Sequence, residues 1–305
     1  MKRRTTPRIG LALGSGSARG WAHIGVLRAL HKAGVQPAVV AGSSIGSLVG
    51  AAFVSDTLDE LEAWVRSLTW RDVVRHLDVT LSGGGFVRGE RLMTSLIDTI
   101  GATRIEALSI PYAAVATDLE TGREIWLQEG GLLEAVRASI ALPGLFTPVQ
   151  VDGQWLVDGG LVNPVPVSVC RALGAEFVIA VNLNGGIVGQ RFRGTDTGMF
   201  NDAEGPAGSL LSTLGFARAR NILAQLWGTD EAEPGIFDVT ATSINIMQDR
   251  ITRSRMAGDP PDIVLAPKLN EVGLMEFHRA SEAIAAGANI VETYIRAGEL
   301  DAVLP

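Results

Sequence analysis

The chain has 305 residues, 47% hydrophobic and 19% charged, a composition that excludes a disordered or solvating chain and points to a compact fold with a large core. Its 33 acidic and 26 basic residues leave a formal charge of −7, which gives no net attraction to phosphate backbones or anionic bilayers, so nucleic acid is not an expected partner. The single cysteine, Cys170, excludes a disulfide framework and a cysteine-based zinc site; it lies in the apolar stretch Val165 to Leu173 and reads as a small buried hydrophobe.

Met1-Lys2-Arg3-Arg4 resembles the charged lead of a signal peptide, but the apolar run Ile9 to Leu13 is broken at once by glycines and Arg19 and is too short for a hydrophobic leader. Ile9 to Leu13 reads as a strand, Gly14 to Gly20 as a glycine loop, and Trp21 to Ala33 as a helix, with Ile24, Leu27 and Leu30 at helical spacing. The pattern recurs in the strand Pro37 to Ala41, the turn Gly42 to Gly46 and the small-residue helix Ser47 to Val54. Two consecutive strand-loop-helix units imply a parallel sheet with helices on its faces. The longest membrane-span candidate, Ala38 to Val54, is interrupted by Gly42, Ser43, Ser44, Gly46, Ser47 and Gly50 and falls short of ~20 continuous apolar residues. A cytoplasmic location with transient peripheral contact to membranes is expected.

Residues 56 to 110 read mostly as helices and loops, broken at Ser82-Gly83-Gly84-Gly85. Tyr112 to Thr117 and Glu124 to Leu127 read as a strand pair, Leu132 to Ala141 as a helix stopped by Pro143-Gly144, and Pro148 to Val151 with Trp155 to Asp158 as a hairpin turning at Asp152-Gly153. Phe177 to Leu183 is a further apolar strand. Gly185 to Gly208 is rich in Gly, Thr, Asp and Asn and reads as a long surface loop. Helices over Leu210 to Trp227 and Val239 to Met256, a strand over Asp262 to Ala266 and a helix from Leu274 to Arg296 complete the chain. In that last helix Leu274, Phe277, Ile284, Ala288, Val291 and Ile295 form one apolar stripe. With no internal repeat or linker, residues 1–305 read as a single domain, with core motifs in 9–184, the loop in 185–208 and a helical C-terminal part in 209–305.

Gly42-Ser43-Ser44-Ile45-Gly46 fits G-x-S-x-G, in which a strained turn between strand and helix exposes a serine hydroxyl at the helix N-terminus. A plain strand-to-helix turn capped by Ser43 or Ser44 is the alternative. Gly14-Ser15-Gly16-Ser17-Ala18-Arg19-Gly20 is one residue off the dinucleotide spacing G-x-G-x-x-G, and no ribose-binding acid follows the second strand. Backbone N–H groups of such a loop can instead converge on an oxyanion, with Arg19 adding positive charge. The four histidines, His23, His31, His76 and His278, lack the setting of a triad base, so a reactive serine would use a carboxylate. Asp158-Gly159-Gly160, at the end of an apolar strand, supplies one, although an Asp before Gly-Gly is also a common turn former.

The glycine loop with its basic residue, the G-x-S-x-G turn, the stretch Ala138-Ser139-Ile140-Ala141-Leu142-Pro143-Gly144-Leu145-Phe146-Thr147-Pro148 and the Asp-Gly-Gly occur in the order of the four blocks of the patatin-like phospholipases. The resemblance covers Ile9 to Asn184, and Leu269 to Gly287 is similar to bacterial members. It implies a three-layer α/β sandwich with a mainly parallel central sheet, and a serine acyl hydrolase in which Ser44 matches the nucleophile, Asp158 the base, and Gly14, Ser15, Gly16 and Arg19 the oxyanion loop. Phospholipids, lysophospholipids or other fatty-acyl esters are the implied substrates, with no metal or cofactor. Ser15 and Ser17 interrupt the run of glycines usual in the family, though serine still offers its N–H. A non-catalytic lipid-binding or regulatory module on the same fold is the alternative, and a homo-oligomer is left open. Gly185 to Gly208 is expected to gate the lipid site, with Arg250, Arg253 and Arg255 docking the protein to anionic lipid.

Overall fold

The computed structural model describes residues 7–72, 103–185 and 236–304. The expected break at Ser82 to Gly85, residues 186–208 of the expected loop, the expected helix Leu210 to Trp227 and His76 lie outside the described residues. Residues 1–185 together with 248–305 form one compact unit and residues 186–247 a second.

Eight strands build one sheet in the first unit: β1 (Ile9–Leu13), β2 (Val39–Ser43), β3 (Tyr112–Asp118), β4 (Glu124–Leu127), β5 (Val149–Val151), β6 (Gln154–Asp158), β7 (Phe177–Val181) and β8 (Ile263–Leu265). Their order is β5-β6-β3-β2-β1-β7-β8, with β4 also paired to β3. The pairings β2–β3, β1–β2, β1–β7 and β7–β8 are parallel, whereas β4, β5 and β6 pair antiparallel. β1, β2, β3 and almost all of β7 are buried, as parallel strands covered on both faces must be.

The helices of this unit are α1 (Ala22–Lys32), α2 (Ile45–Val54), α3 (Leu58–Ser67), α4 (Leu132–Ser139) and α5 (Val167–Ala172), then α6 (Ile236–Gly258) from Gln248 onward, and α7 (Ala280–Arg296). Side chains alternate across the sheet. Ile9, Leu11 and Leu13 of β1 join the larger core with α1, α2 and α7, while Ala12 joins Val167, Val169 and Cys170 of α5 on the opposite face. The result is an α/β sandwich of three layers around a mostly parallel sheet. Cys170 is fully buried, and burial pushes its thiol up to about 12.

α1 and α7 cross at glycines. A Cβ on Gly287 would overlap the carbonyl oxygen of Ala22, and one on Gly25 would overlap that of Ile284. This close crossing fixes the helix that follows the glycine loop. The Trp21 indole N–H also donates to the Phe277 carbonyl at 3.1 Å, tying the end of the loop to the lead of α7.

The elements differ from the sequence reading at a few ends. A short turn of 3-10 helix, Phe277–Arg279, precedes α7, so the regular helix begins at Ala280. α5 has no counterpart in the sequence reading, because six mostly buried residues give no helical period.

Pairing along β3 sets up the site. Ala114 and Val115 pair with β2 and with β4, so those two strands flank β3 on opposite edges. Ala116 and Thr117 pair with β4 and with β6, so β6 continues the edge that β2 leaves. β2 and β6 therefore approach each other end to end along one edge of β3.

Candidate active site

The apolar run Val39 to Ala41 carries β2 into the sheet, and the chain reverses at Ser44, where φ is 55° and ψ −127°, before α2 begins at Ile45. A non-glycine residue with such a φ is strained and must be held by its surroundings. Three contacts do so. The Ser44 N–H donates to Ser139 Oγ at 2.9 Å, Ser139 Oγ donates to the Val115 carbonyl at 2.6 Å, and Ser47 Oγ donates to the Ser44 carbonyl at 2.6 Å. The motif glycines are required by close approach: a Cβ on Gly46 would overlap the Leu13 carbonyl, and one on Gly42 the backbone of Ser47. Ser43 is fully buried, whereas Ser44 is only half-buried.

Asp158 ends β6 opposite Ala116. Its Oδ2 accepts the Ser44 hydroxyl at 2.6 Å, a length in the range of a charge-assisted O–H···O bond. Its Oδ1 accepts the Gly160 N–H at 2.7 Å. The Asp158 N–H donates to the Ala141 carbonyl at 3.0 Å, and the Asp158 carbonyl accepts from Thr117 Oγ1 at 2.8 Å, so both backbone and carboxyl are fixed. Burial pushes the Asp158 carboxyl up to about 7, against the opposing pull of the Ser44 hydroxyl and the Gly160 N–H. A carboxylate with that pKa is poised to exchange a proton near neutrality.

The glycine loop leaves β1 at the carboxyl end of the sheet, beside the ends of β2 and β7. The Gly14 N–H donates to the Val181 carbonyl at 3.1 Å and the Ser15 N–H to the Pro164 carbonyl at 2.8 Å. Those two amides are engaged in holding the loop. Among the described residues, the N–H groups of Gly16 and Ser17 have no backbone carbonyl as partner. Arg19 is buried, and its backbone N–H donates to the Gly16 carbonyl at 3.2 Å.

His23 supports the same loop. Its Nε2 lies 2.7 Å from the Gly14 carbonyl, an acceptor only, so Nε2 carries a proton. Burial lowers its pKa to about 4, with the Gly14 bond working in the opposite direction. His31 and His278 are exposed.

Two of the three arginines expected to form a docking patch make ion pairs within the fold. Arg253 pairs with Asp249 at 2.8 Å and Arg255 with Glu124 at 2.6 Å, while Arg250 is exposed. Among the described residues, no helix is long and apolar enough to cross a membrane.

Sequence reasoning did not single out Ser139, Thr117, His23 or Gln248 as supports of this site. Ser139 carries a signal, since it lies within the stretch Ala138 to Pro148. The other three are polar residues that no motif or spacing in the sequence marks.

A family model described as Patatin-like phospholipase matches residues 11–171. An uncharacterized NTE family protein of Mycobacterium tuberculosis (strain ATCC 25618 / H37Rv) is 36% identical over 339 residues, covering 97% of this chain and 94% of that protein. Lysophospholipase NTE1 of Pyricularia oryzae is 29% identical over 289 residues, covering 92% of this chain and 18% of that protein. Among solved structures, VipD from Legionella pneumophila aligns with a TM-score of 0.47 and 12% identity, over 95% of this chain and 67% of that chain. The fold and the matched region define the class as that of lipid ester hydrolases. The chain belongs to the patatin-like phospholipase family.

Proposed function

We propose that the chain is a serine lipid acyl hydrolase that cleaves fatty-acyl esters of phospholipids or lysophospholipids through Ser44 and Asp158. The observation that carries this reading is the 2.6 Å bond from Ser44 Oγ to the buried Asp158 carboxylate, in a chain of this family. Ser44 Oγ attacks the ester carbonyl carbon as its proton passes to Asp158 Oδ2. The tetrahedral intermediate collapses, the C–O bond to the leaving alcohol breaks, and the alcohol oxygen takes the proton from Asp158. The acyl group is then on Ser44 Oγ. Water attacks the acyl carbon, Asp158 receives the water proton and returns it to Ser44, and the fatty acid leaves.

An aspartate of ordinary pKa, near 3.9, would be a weak base for a serine hydroxyl. Burial of Asp158, which raises its pKa to about 7, narrows that gap. The start of α2 points its unsatisfied N–H groups and positive dipole end at the Ser44 side of the reaction. In the loop, Gly16 supplies an N–H to the oxyanion with its neighbour Ser17, Gly14 and Ser15 hold the loop in place, and Arg19 adds fixed positive charge to the turn. Peripheral contact with a membrane delivers the lipid.

Turnover of p-nitrophenyl acyl esters tests the reading. Ser44→Ala is expected to abolish turnover, and Asp158→Asn to lower kcat by at least the ~10²-fold that loss of a general base costs. An Asp158→Asn enzyme with near-normal kcat would refute the pair.

A further inference from the structure

A second buried polar cluster stands against the Ser44–Asp158 pair and joins three segments far apart in sequence. Ser15 Oγ, in the glycine loop, donates to Gln248 Oε1 at 3.1 Å, and Asn184 Nδ2, just beyond β7, donates to the same oxygen at 3.0 Å. Asn184 Nδ2 also reaches Ser15 Oγ at 3.4 Å. Ser15, Asn184 and Gln248 are 2%, 3% and 5% exposed, so these groups exchange their hydrogen bonds with one another instead of with bulk water. The other end of the Gln248 carboxamide lies at the Asp158 turn: a Cβ built on Gly160 would sit 2.5 Å from Gln248 Nε2 and 2.9 Å from Asp158 Oδ1.

We propose that Gln248 is a positioning residue for the hydrolase centre, clamping the serine-bearing glycine loop to the Asp158–Gly160 turn. The proposal rests on the reading of Ser44 and Asp158 given above. Gln248 lies in α6, beyond the residues 11–171 that the family model matches. Its partner in the loop is Ser15, one of the two serines that interrupt the glycine run. A buried hydroxyl at Ser15 requires an acceptor, and Gln248 provides it. In return, the shared carboxamide oxygen fixes the segment that carries Gly16 and Ser17 relative to Ser44. Donors aimed at a developing oxyanion act through preorganisation, and a displacement of about 1 Å can cost ~10²-fold in rate. Gln248 touches no reacting atom in this scheme, so its loss lowers kcat through the loop.

The test is a double-mutant cycle of Ser15→Ala and Gln248→Met, assayed with p-nitrophenyl butyrate. Gln248→Met keeps length and volume while removing the carboxamide. Each single variant is expected to lower kcat by about 10- to 100-fold with KM within about twofold, and the double variant to be no more than about threefold below the worse single. A kcat within about threefold of the parent in either single variant, or losses that multiply in the double, overturns the clamp. If Gln248→Met does not fold, Gln248→Leu, which also removes the acceptor of the Ser15 and Asn184 bonds, completes the same cycle with the same criteria. Ser44→Ala is run alongside: residual turnover there overturns the dyad reading, whereas full dependence on Ser44 with unaffected Gln248 variants overturns the clamp alone.

Discussion

Ser43 and Asp158 end two different strands yet pair with consecutive residues of β3, Ser43 with Val115 and Asp158 with Ala116. The position of the Ser44 hydroxyl against the Asp158 carboxylate thus follows from strand register. A slip of β6 by one residue would turn Asp158 to the opposite face of the sheet and break the 2.6 Å bond. Ser139 reinforces the junction from outside the sheet, since its hydroxyl joins the Ser44 N–H to the Val115 carbonyl.

Removing that brace should therefore loosen the strained turn. Ser139→Ala leaves the Ser44 N–H and the Val115 carbonyl without their shared partner, a loss that costs about 1–3 kcal/mol where such groups are buried. The expected outcome is a lower thermal midpoint and a kcat reduced by about tenfold with KM nearly unchanged, because the bracing acts on the position of Ser44. Parent-like kcat and midpoint together would show that the turn holds without Ser139.

Activity should rise with pH through about 7. Asp158 must be ionised to take the Ser44 proton, and burial holds its pKa at about 7. Below that value kcat/KM should fall by about tenfold per pH unit, and above it the profile should level off. Stability runs the other way. The folded pKa lies above the ordinary carboxylate value, so the contribution of Asp158 to stability is full below the unfolded value and lost as pH rises through about 7. His23 acts on the acid side: its folded pKa, about 4, lies below the usual 6.5, so its contribution is present above 6.5 and lost as pH falls toward 4. A kcat/KM profile flat from pH 5 to 9 contradicts the assignment of Asp158, and thermal midpoints of the parent and Asp158→Asn that stay parallel over that range contradict its linkage to stability.

The α1–α7 crossing makes a prediction about the core. Gly287→Ala places a methyl group where the Ala22 carbonyl oxygen now stands. The helices must separate, at a cost of about 1–3 kcal/mol for overpacking, and α1 carries the residues that follow the glycine loop. A thermal midpoint several degrees lower, with Ser44 still reactive in the folded fraction, is expected. An unchanged midpoint would mean that α7 shifts without penalty.

Much of the fold was legible because the parallel core writes itself into local pattern. Ile9 to Leu13, the region around Val39 and Phe177 to Val181 are short apolar runs closed by Gly or Asn, and each is a buried strand. Ser44 and Asp158 stood out because the chemistry of a tight turn demands glycine beside them. What local pattern does not carry is register: the meeting of β2 and β6 on one edge of β3 depends on pairings between residues 38 to 72 positions apart. For the same reason the engagement of the Gly14 and Ser15 amides was invisible, since their acceptors, Val181 and Pro164, lie far along the chain. The arginines divide along this line as well. The Arg253–Asp249 pair has helical i,i+4 spacing that a sequence displays, while the Arg255–Glu124 pair spans the fold. His23 and Gln248 have no periodic partner, and only the folded chain brings them to the loop.

The most direct measurement of the central claim is peptide mapping after treatment with a fluorophosphonate, which reacts with activated serines. The account predicts one adduct per chain, on Ser44 Oγ, formed in the parent, slowed in Asp158→Asn and absent in Ser44→Ala. An adduct on Ser43, or no adduct on folded protein that hydrolyses p-nitrophenyl esters, would contradict it.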